Sequence, residues 1–259
     1  MTSSGATFST LTVELSGGIG RLTPNQPDQL NPLGSDALTE IAKAARWFDD
    51  EGARVVVITS AGDRAFSAGF DLRELTRGSD EAPDVDLGYL MVDAVEAMDA
   101  ITIAAIHGHC VGGGILLAVG CDLRIAADNT RFAIPEIDLG IPLAWGGIPR
   151  LVREVGAAAT RELVMTCRPF DAIEAQRLGM INRVVPLDRL RAETDELAAS
   201  LAAKPVSLLR MTKRQVHEAA EDLLTTRSGW AASAHLAVAL ADPEARGAAA
   251  GYLASRSKD

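Results

Sequence analysis

The chain has 259 residues, of which 47% are hydrophobic and 23% are charged, a composition typical of a soluble globular protein. Its formal net charge of −10 argues against general affinity for nucleic acid or for anionic membrane surfaces. No signal peptide or membrane-spanning run is apparent, and three widely spaced cysteines (Cys110, Cys121 and Cys167) form no metal-binding pattern, so we predict a cytoplasmic protein without a metal site.

The first part of the chain is predicted to alternate strands with helices. The segment "FSTLTVELSGGIGRLTP" alternates on both sides of Gly17 and Gly18, which indicates a β-hairpin. Ser35 or Asp36 is expected to cap a following helix, because apolar residues recur at helical spacing after it. The run "ARVVVITSA" predicts a buried strand, and "GDRAFSAGFDLREL" leads into a helical turn. A polar surface loop, "SDEAPDVD", is then expected before a helix over residues 87–100.

A second unit repeats this layout. The strand-like run "ITIAAIHGH" passes through "CVGGG" into a helix, and short strands are expected in "DLRIAADNTRFAIPEI". From residue 151 onward the pattern is mostly helical, including segments over residues 229–241 and 244–256. The prediction is an α/β fold with a core over residues 1–200 and a helical region over residues 201–259.

Each of the two units places small residues between a strand and a helix start. The first turn of a helix exposes unpaired N–H groups and carries the positive end of the helix dipole. Two such turns side by side can aim two backbone donors at one oxygen, and glycine allows that oxygen to approach closely. A tight turn or close helix packing explains three glycines equally well. The run lacks the Lys-Ser/Thr of a phosphate-binding loop, and its spacing differs from a dinucleotide fingerprint.

Four blocks taken together are more specific. In order they are "AFSAGFDL", "HGHCVGGG", "FAIPEIDLGI" and "GGIPRLVREVG". Their order and spacing resemble the enoyl-CoA hydratase/isomerase family, the crotonase superfamily, over nearly the whole chain. The resemblance implies a crotonase-like spiral of ββα units with a helical C-terminal trimerisation region. It also implies an acyl-CoA thioester as substrate, with coenzyme A part of that substrate, no permanently bound cofactor, and a homotrimer or dimer of trimers.

The resemblance implies catalytic roles for three residues. The backbone N–H groups of Ala68 and Gly113 are expected to hold the thioester oxygen as it becomes an enolate. Glu136 matches one of the two glutamates that family hydratases carry. The position of the other is occupied by Leu116, which cannot transfer a proton, so double-bond isomerisation by one carboxylate is favoured over hydration. Burial is expected to raise the pKa of Glu136.

Two other readings remain. A non-catalytic acyl-CoA-binding protein is one, motivated by Leu116. A hydrolase using Ser67 is the other, although "FSAGF" is not a nucleophile elbow. Ala144 stands where some dienoyl-CoA isomerases carry an aspartate, which disfavours that two-carboxylate reaction.

Further residues are assigned to substrate binding by the same resemblance. His107, Leu116 and Trp145 are expected in the acyl pocket, where the indole narrows the pocket or covers the carboxylate; a core tryptophan is an equal alternative. His107 and His109 share one side of a strand end, but without a third ligand nearby they do not predict a metal site. The residues expected to contact coenzyme A are Gln29, Leu30, Arg64, Ala65, Asp71, Leu72 and Tyr252.

Overall fold

The computed structural model describes residues 7–76, 86–226, 235, 238–239 and 241–256. The strands within these residues are β1 (Leu11–Ser16), β2 (Ile19–Pro24), β3 (Val55–Ile58), β4 (Ala65–Ser67), β5 (Ile101–Ile106), β6 (His109–Val111), β7 (Leu123–Ala127), β8 (Arg131–Ala133), β9 (Phe170–Asp171) and β10 (Arg183–Val185). The α-helices there are α1 (Ser35–Asp50), α2 (Leu72–Thr76), α3 (Asp86–Glu96), α4 (Gly113–Val119), α5 (Gly147–Thr166), α6 (Ala172–Arg177), α7 (Leu190–Ala202), α8 (Val206–Leu223) and α9 (Pro243–Arg256).

Most predicted elements lie where the sequence pattern put them. The predicted loop over residues 79–86, apart from its last residue, and most of the helix predicted over residues 229–241 lie outside the described residues. None of the described helices is long and apolar enough to cross a membrane.

The strands form two sheets. One has six strands in the order β1-β2-β3-β5-β7-β10, and the other has four in the order β4-β6-β8-β9. From β3 to β8, consecutive strands alternate between the sheets: β3, β5 and β7 belong to the larger sheet, and each is followed by a strand of the smaller one. This alternation, with helices between successive pairs, confirms the expected α/β fold of ββα turns.

The central strands are buried on both faces. All four residues of β3 are buried, and they alternate between two apolar clusters: Val55 and Val57 face one, and Val56 and Ile58 face the other. Such two-sided burial explains the continuous apolar run, because a strand with one solvent face would alternate with polar residues. The hairpin prediction is also confirmed, since Gly17 and Gly18 have φ of +60° and +80° between antiparallel β1 and β2.

The start of α1 differs from the prediction. Gly34 is the N-cap and Ser35 is already the first helical residue, so neither Ser35 nor Asp36 caps the helix with its side chain. Instead Glu74, which is remote in sequence, accepts hydrogen bonds from the Ser35 N–H at 3.0 Å and from its Oγ at 2.6 Å. A carboxylate at this position also complements the helix dipole.

The smaller sheet brings the two glycine-containing turns together. Strands β4 and β6 are parallel, with Ala65 opposite His109 and Ser67 opposite Cys110. Parallel neighbours end at the same edge of a sheet, so the chain leaves both strands side by side before entering α2 and α4. Every residue of α4 is buried, which explains why apolar residues follow the glycines.

Candidate active site

Each glycine of the run 112–114 faces a different neighbour. A Cβ on Gly112 would lie 2.5 Å from Oε1 of Glu136, and one on Gly114 would lie 2.9 Å from Cβ of Ser67. A Cβ on Gly113 would lie 2.3 Å from Cζ3 of Trp145. No side chain fits at these distances, so the three glycines are required by three separate close approaches.

The turn after β4 approaches the same place. Gly69 has a φ of +86°, and a Cβ there would lie 2.7 Å from the Val111 carbonyl oxygen and 3.3 Å from the Gly113 nitrogen. The backbone of this turn is therefore packed directly against the start of α4. Glycine at position 69 serves both the positive φ and the close approach.

Two backbone N–H groups at this junction are oriented by their own peptide planes. The Gly69 carbonyl accepts a hydrogen bond from the Leu33 N–H at 2.8 Å, so the Phe70 N–H in the same trans peptide points the opposite way. The Gly112 carbonyl accepts from Ile115 at 2.9 Å, which likewise turns the Gly113 N–H away from the helix. Neither N–H donates to an acceptor within the described part of the chain.

The prediction that the Ala68 N–H holds the thioester oxygen is wrong. Its N–H donates to the Leu30 carbonyl at 2.9 Å and is not available to a ligand. Because the direction of a peptide N–H depends on what its carbonyl pairs with, the motif alone did not separate Ala68 from Phe70, two residues later.

A cavity of about 750 Å³ adjoins this junction. Of the residues predicted for the site, it is lined by Glu136, Ala68, Gln29, Leu30, Asp71, Leu72 and Tyr252. The sequence analysis did not place several other lining residues there, among them Phe70, His109, Arg131, Leu139 and Ile141. Gly113 itself does not line the cavity. Its N–H, however, belongs to the peptide that joins it to Gly112, and Gly112 does line the cavity.

Glu136 lies in a turn directly after β8 and faces the cavity. Its side chain is almost fully buried, and its Oε2 has no hydrogen-bond partner among the described residues. Burial raises the pKa of the Glu136 carboxyl to about 7. The other carboxylate of the lining, Asp71, accepts hydrogen bonds from Nε and Nη2 of Arg73 at 2.8 and 2.7 Å. Glu136 is therefore the carboxylate of the described lining that is suited to exchange a proton with a ligand.

Several residues expected at the site lie elsewhere. Leu116 points into the core, where a Cβ on Gly147 would lie 2.9 Å from its Cδ2, and it does not line the cavity. The buried ring of His107 is hydrogen-bonded through Nε2 to the Gly62 carbonyl at 3.1 Å, and burial lowers its pKa, so it was placed in the pocket wrongly. Its neighbour on the strand end, His109, lines the cavity instead.

The remaining residues expected to contact coenzyme A or the acyl chain are outside the lining. Exposed Arg64 donates through Nη2 to the carbonyls of Pro27 and Asp28 at 3.2 Å. Ala65 is buried, and its carbonyl accepts a hydrogen bond from Nδ2 of Asn31. The half-buried ring of Trp145 packs behind the cavity wall, edge-on to Phe70 with 6.1 Å between ring centres.

The raised pKa of Glu136 makes a prediction about stability. A folded-state pKa of about 7, against 4.5 for the free side chain, means that the unfolded chain loses the proton first. Stability therefore falls as the pH rises from 4.5 to 7, by about 3 kcal/mol. Glu136→Gln removes this loss, so the variant is expected to exceed the parent in free energy of unfolding by about that amount at pH 8, and by little at pH 4.5. Urea denaturation across this range measures the difference; a gap that is independent of pH contradicts it.

Comparison with known proteins identifies the family and agrees with the fold. The model of the enoyl-CoA hydratase/isomerase family matches residues 14–251. A "probable enoyl-CoA hydratase" of Mycobacterium bovis is 37% identical over 220 residues, which cover 85% of each chain. A "crotonyl-CoA hydratase" of Syntrophomonas wolfei is 37% identical over 197 residues, covering 75% of this chain and 76% of that protein.

Solved structures show the same architecture. The crystal structure of an enoyl-CoA hydratase from Mycobacterium avium subsp. paratuberculosis superposes with a TM-score of 0.85 at 26% identity, covering 95% of this chain and 99% of that one. A second, from Geobacillus kaustophilus, has a TM-score of 0.76 at 31% identity, covering 96% of both chains. The fold is thus the crotonase fold, and this chain belongs to the enoyl-CoA hydratase/isomerase family of enzymes.

Proposed function

We propose that this enzyme moves a carbon–carbon double bond in an enoyl-CoA thioester, converting a 3-enoyl ester to the 2-enoyl ester with Glu136 as the single acid–base group. The observation that carries the proposal is the buried Oε2 of Glu136, which lies beside two backbone N–H groups; none of the three has a hydrogen-bond partner among the residues that the structure describes. Position 116, where the resemblance to family hydratases implies a second carboxylate, holds a leucine packed in the core.

The reaction uses these groups in a fixed order. Ionised Glu136 removes a proton from C2 of the ester, and the electron pair moves onto the thioester oxygen. The N–H groups of Phe70 and Gly113 stabilise that negative charge, and each well-aimed donor is worth roughly 3–4 kcal/mol in such a transition state. When the electron pair on the thioester oxygen moves back to re-form the carbonyl group, C4 takes the proton from Glu136. The double bond then lies between C2 and C3. No atom is gained or lost.

The rest of the cavity is assigned, as part of the same proposal, to the coenzyme A arm of the substrate. We propose that it lies along Gln29, Leu30, Leu72 and Tyr252, which line the cavity together with Glu136. The enzyme then needs no resident cofactor, because the thioester itself supplies the acidic C2 proton. By its resemblance to the family, we propose a homotrimer or dimer of trimers.

Hydration of 2-enoyl-CoA is the second candidate, because the relatives described above carry the name hydratase. With one carboxylate, the attacking water lacks the second group that would position it and exchange its proton. Loss of one positioned acid–base group costs about 10²–10⁴-fold. Hydration is therefore expected to be about 10²-fold or more slower than it would be with both carboxylates, and slower than isomerisation, which needs only one.

Parallel assays of matched 3-enoyl and 2-enoyl CoA esters test the choice. Chromatography of the CoA esters separates the isomerised product from the 3-hydroxyacyl product of hydration. Hydration as fast as isomerisation would favour the second candidate. Tight binding of both esters without turnover of either would make the protein a binding member of the family.

A further inference from the structure

Trp145 has an unusual backbone conformation. Its φ is +56°, in the left-handed region that bulky side chains rarely occupy. The surrounding structure holds it there: the Trp145 carbonyl accepts a hydrogen bond from Nη1 of Arg150 at 3.1 Å. Arg150 is buried and donates through Nη2 and Nε to Glu96 at 2.7 and 2.9 Å. Strained backbone that is held in this way marks a position where the side chain has a specific task.

The indole of Trp145 fills a slot between two helices. A glycine forms the wall of this slot on each side. A Cβ on Gly88, in α3, would lie 1.9 Å from Cε2 of Trp145. A Cβ on Gly113, at the start of α4, would lie 2.3 Å from its Cζ3. The ring therefore contacts the backbone of both helices directly, and even one methyl group on either wall would displace it.

The slot adjoins the junction of the two glycine-containing turns. Phe70 and Gly113, whose N–H groups are proposed to hold the thioester oxygen, both contact the Trp145 ring. Glu136 approaches the same junction from the side of Gly112. The residues that line the cavity include Phe70 and Gly112 but not Trp145, so the indole stands behind the cavity wall at this point.

We propose that Trp145 closes the acyl end of the cavity and so restricts this enzyme to short-chain enoyl-CoA esters. The proposal rests on the proposed function, because it takes the position of the thioester from it. An aromatic ring and an alkyl chain pack at similar spacings of about 3.5–4 Å, so the slot that holds the indole would admit a hydrocarbon chain once the indole is removed. Each methylene that enters the slot is then worth about fourfold in affinity.

The test compares chain-length profiles of the parent and of Trp145→Ala. Values of kcat/KM are measured with four-carbon to ten-carbon enoyl-CoA esters. The parent is expected to prefer the four-carbon ester, and the variant is expected to shift the ratio towards the ten-carbon ester by about tenfold or more, since at least two further methylenes enter the slot. Trp145→Gly is the second variant, because glycine tolerates the positive φ if alanine does not fold.

Trp47 supplies a matched control. It is also a half-buried indole, edge-on to Phe48 with 4.9 Å between ring centres, and it lies in α1 away from the cavity. Trp47→Ala is expected to lower stability while leaving the chain-length ratio unchanged. An unchanged ratio in both Trp145 variants, or a parent that accepts the ten-carbon ester as well as the four-carbon one, overturns the proposal.

Binding measurements separate this proposal from the proposed reaction. Calorimetry with butyryl-CoA and decanoyl-CoA requires no turnover, so the affinity ratio tests the closed slot even if neither enoyl ester reacts. A parent that reacts with no ester but binds butyryl-CoA selectively, with selectivity lost in Trp145→Ala, contradicts only the reaction. If the affinity ratio is the same in the parent and in Trp145→Ala, the role of Trp145 is contradicted and the proposed reaction is not.

Packing at the slot has an independent check. Gly88→Ala places a methyl group where the indole lies and is expected to destabilise the parent. In the Trp145→Ala background the same change meets empty space and is expected to be nearly neutral. Additive effects of the two substitutions on the free energy of unfolding would show that the indole does not occupy this slot.

Discussion

Glu136→Gln is expected to lower kcat for enoyl-CoA isomerisation by about 10²–10⁴-fold, while the affinity for a saturated acyl-CoA changes little. Glutamine keeps the shape of the side chain but cannot take the C2 proton or return it to C4. Among the described residues that line the cavity, the other carboxylate is Asp71, which is engaged with Arg73. Stopped-flow or steady-state kinetics with a 3-enoyl ester gives the loss, and calorimetry with butyryl-CoA gives the affinity.

Asp138→Asn is the matched control. Asp138 lies two residues after Glu136 in the same turn, but its side chain is exposed and does not line the cavity. The control is expected to keep the parent's kcat. Full activity in Glu136→Gln, or an equal loss in both variants, would contradict the assignment of Glu136 as the acid–base group.

The pH dependence of the parent gives a second readout of the same group. The base must be ionised in the free enzyme, and burial raises its pKa to about 7. A plot of kcat/KM is therefore expected to rise with pH through about 7 and to fall tenfold per pH unit below it. A profile that is flat from pH 5 to 8 would assign proton transfer to another group.

Local patterns predicted the elements whose residues carry their own signal. β3 is a continuous apolar run, β5 is one except for Thr102, and the first hairpin has glycines at both positions of positive φ. β4, β9 and β10 were missed because each is only two or three residues long. They form because they pair with β6, β8 and β7, respectively, which are distant in sequence, and no local pattern records such a partner.

The site shows the same division. The motifs predicted Glu136 and the two glycine-containing turns. The turns carry a local signal because close approach and positive φ require glycine. The motifs did not predict the direction in which individual N–H groups and side chains point. Ala68 and Phe70 differ as donors only because Leu30 and Leu33, from an earlier segment, pair with this turn. Leu116 was expected in the pocket because it matches the position of a glutamate in family hydratases, but α4 is buried on all sides and turns that side chain into the core.

Gly69→Ala is expected to lower kcat by about 10²–10³-fold, because it moves one of the two proposed oxyanion donors. A methyl group at position 69 would lie 2.7 Å from the Val111 carbonyl oxygen, and the φ of +86° is unfavourable for alanine. The turn must therefore shift. The Phe70 N–H shifts with it, because this group is part of the peptide that joins Gly69 to Phe70. Glu136 is untouched, so the pH at which kcat/KM is half-maximal is expected to stay near 7 while its plateau falls.

Gly52→Ala separates this effect from the general cost of alanine at positive φ. Gly52 has a φ of +73°, and a Cβ there would meet nothing within 4 Å. It follows α1, and it does not line the cavity. The substitution is expected to cost about 1–2 kcal/mol of stability with kcat unchanged. Urea denaturation and kinetics on both variants give the comparison. If Gly69→Ala loses stability but keeps the parent's kcat, the Phe70 N–H does not hold the thioester oxygen, and the charge must be stabilised from Gly113 and elsewhere.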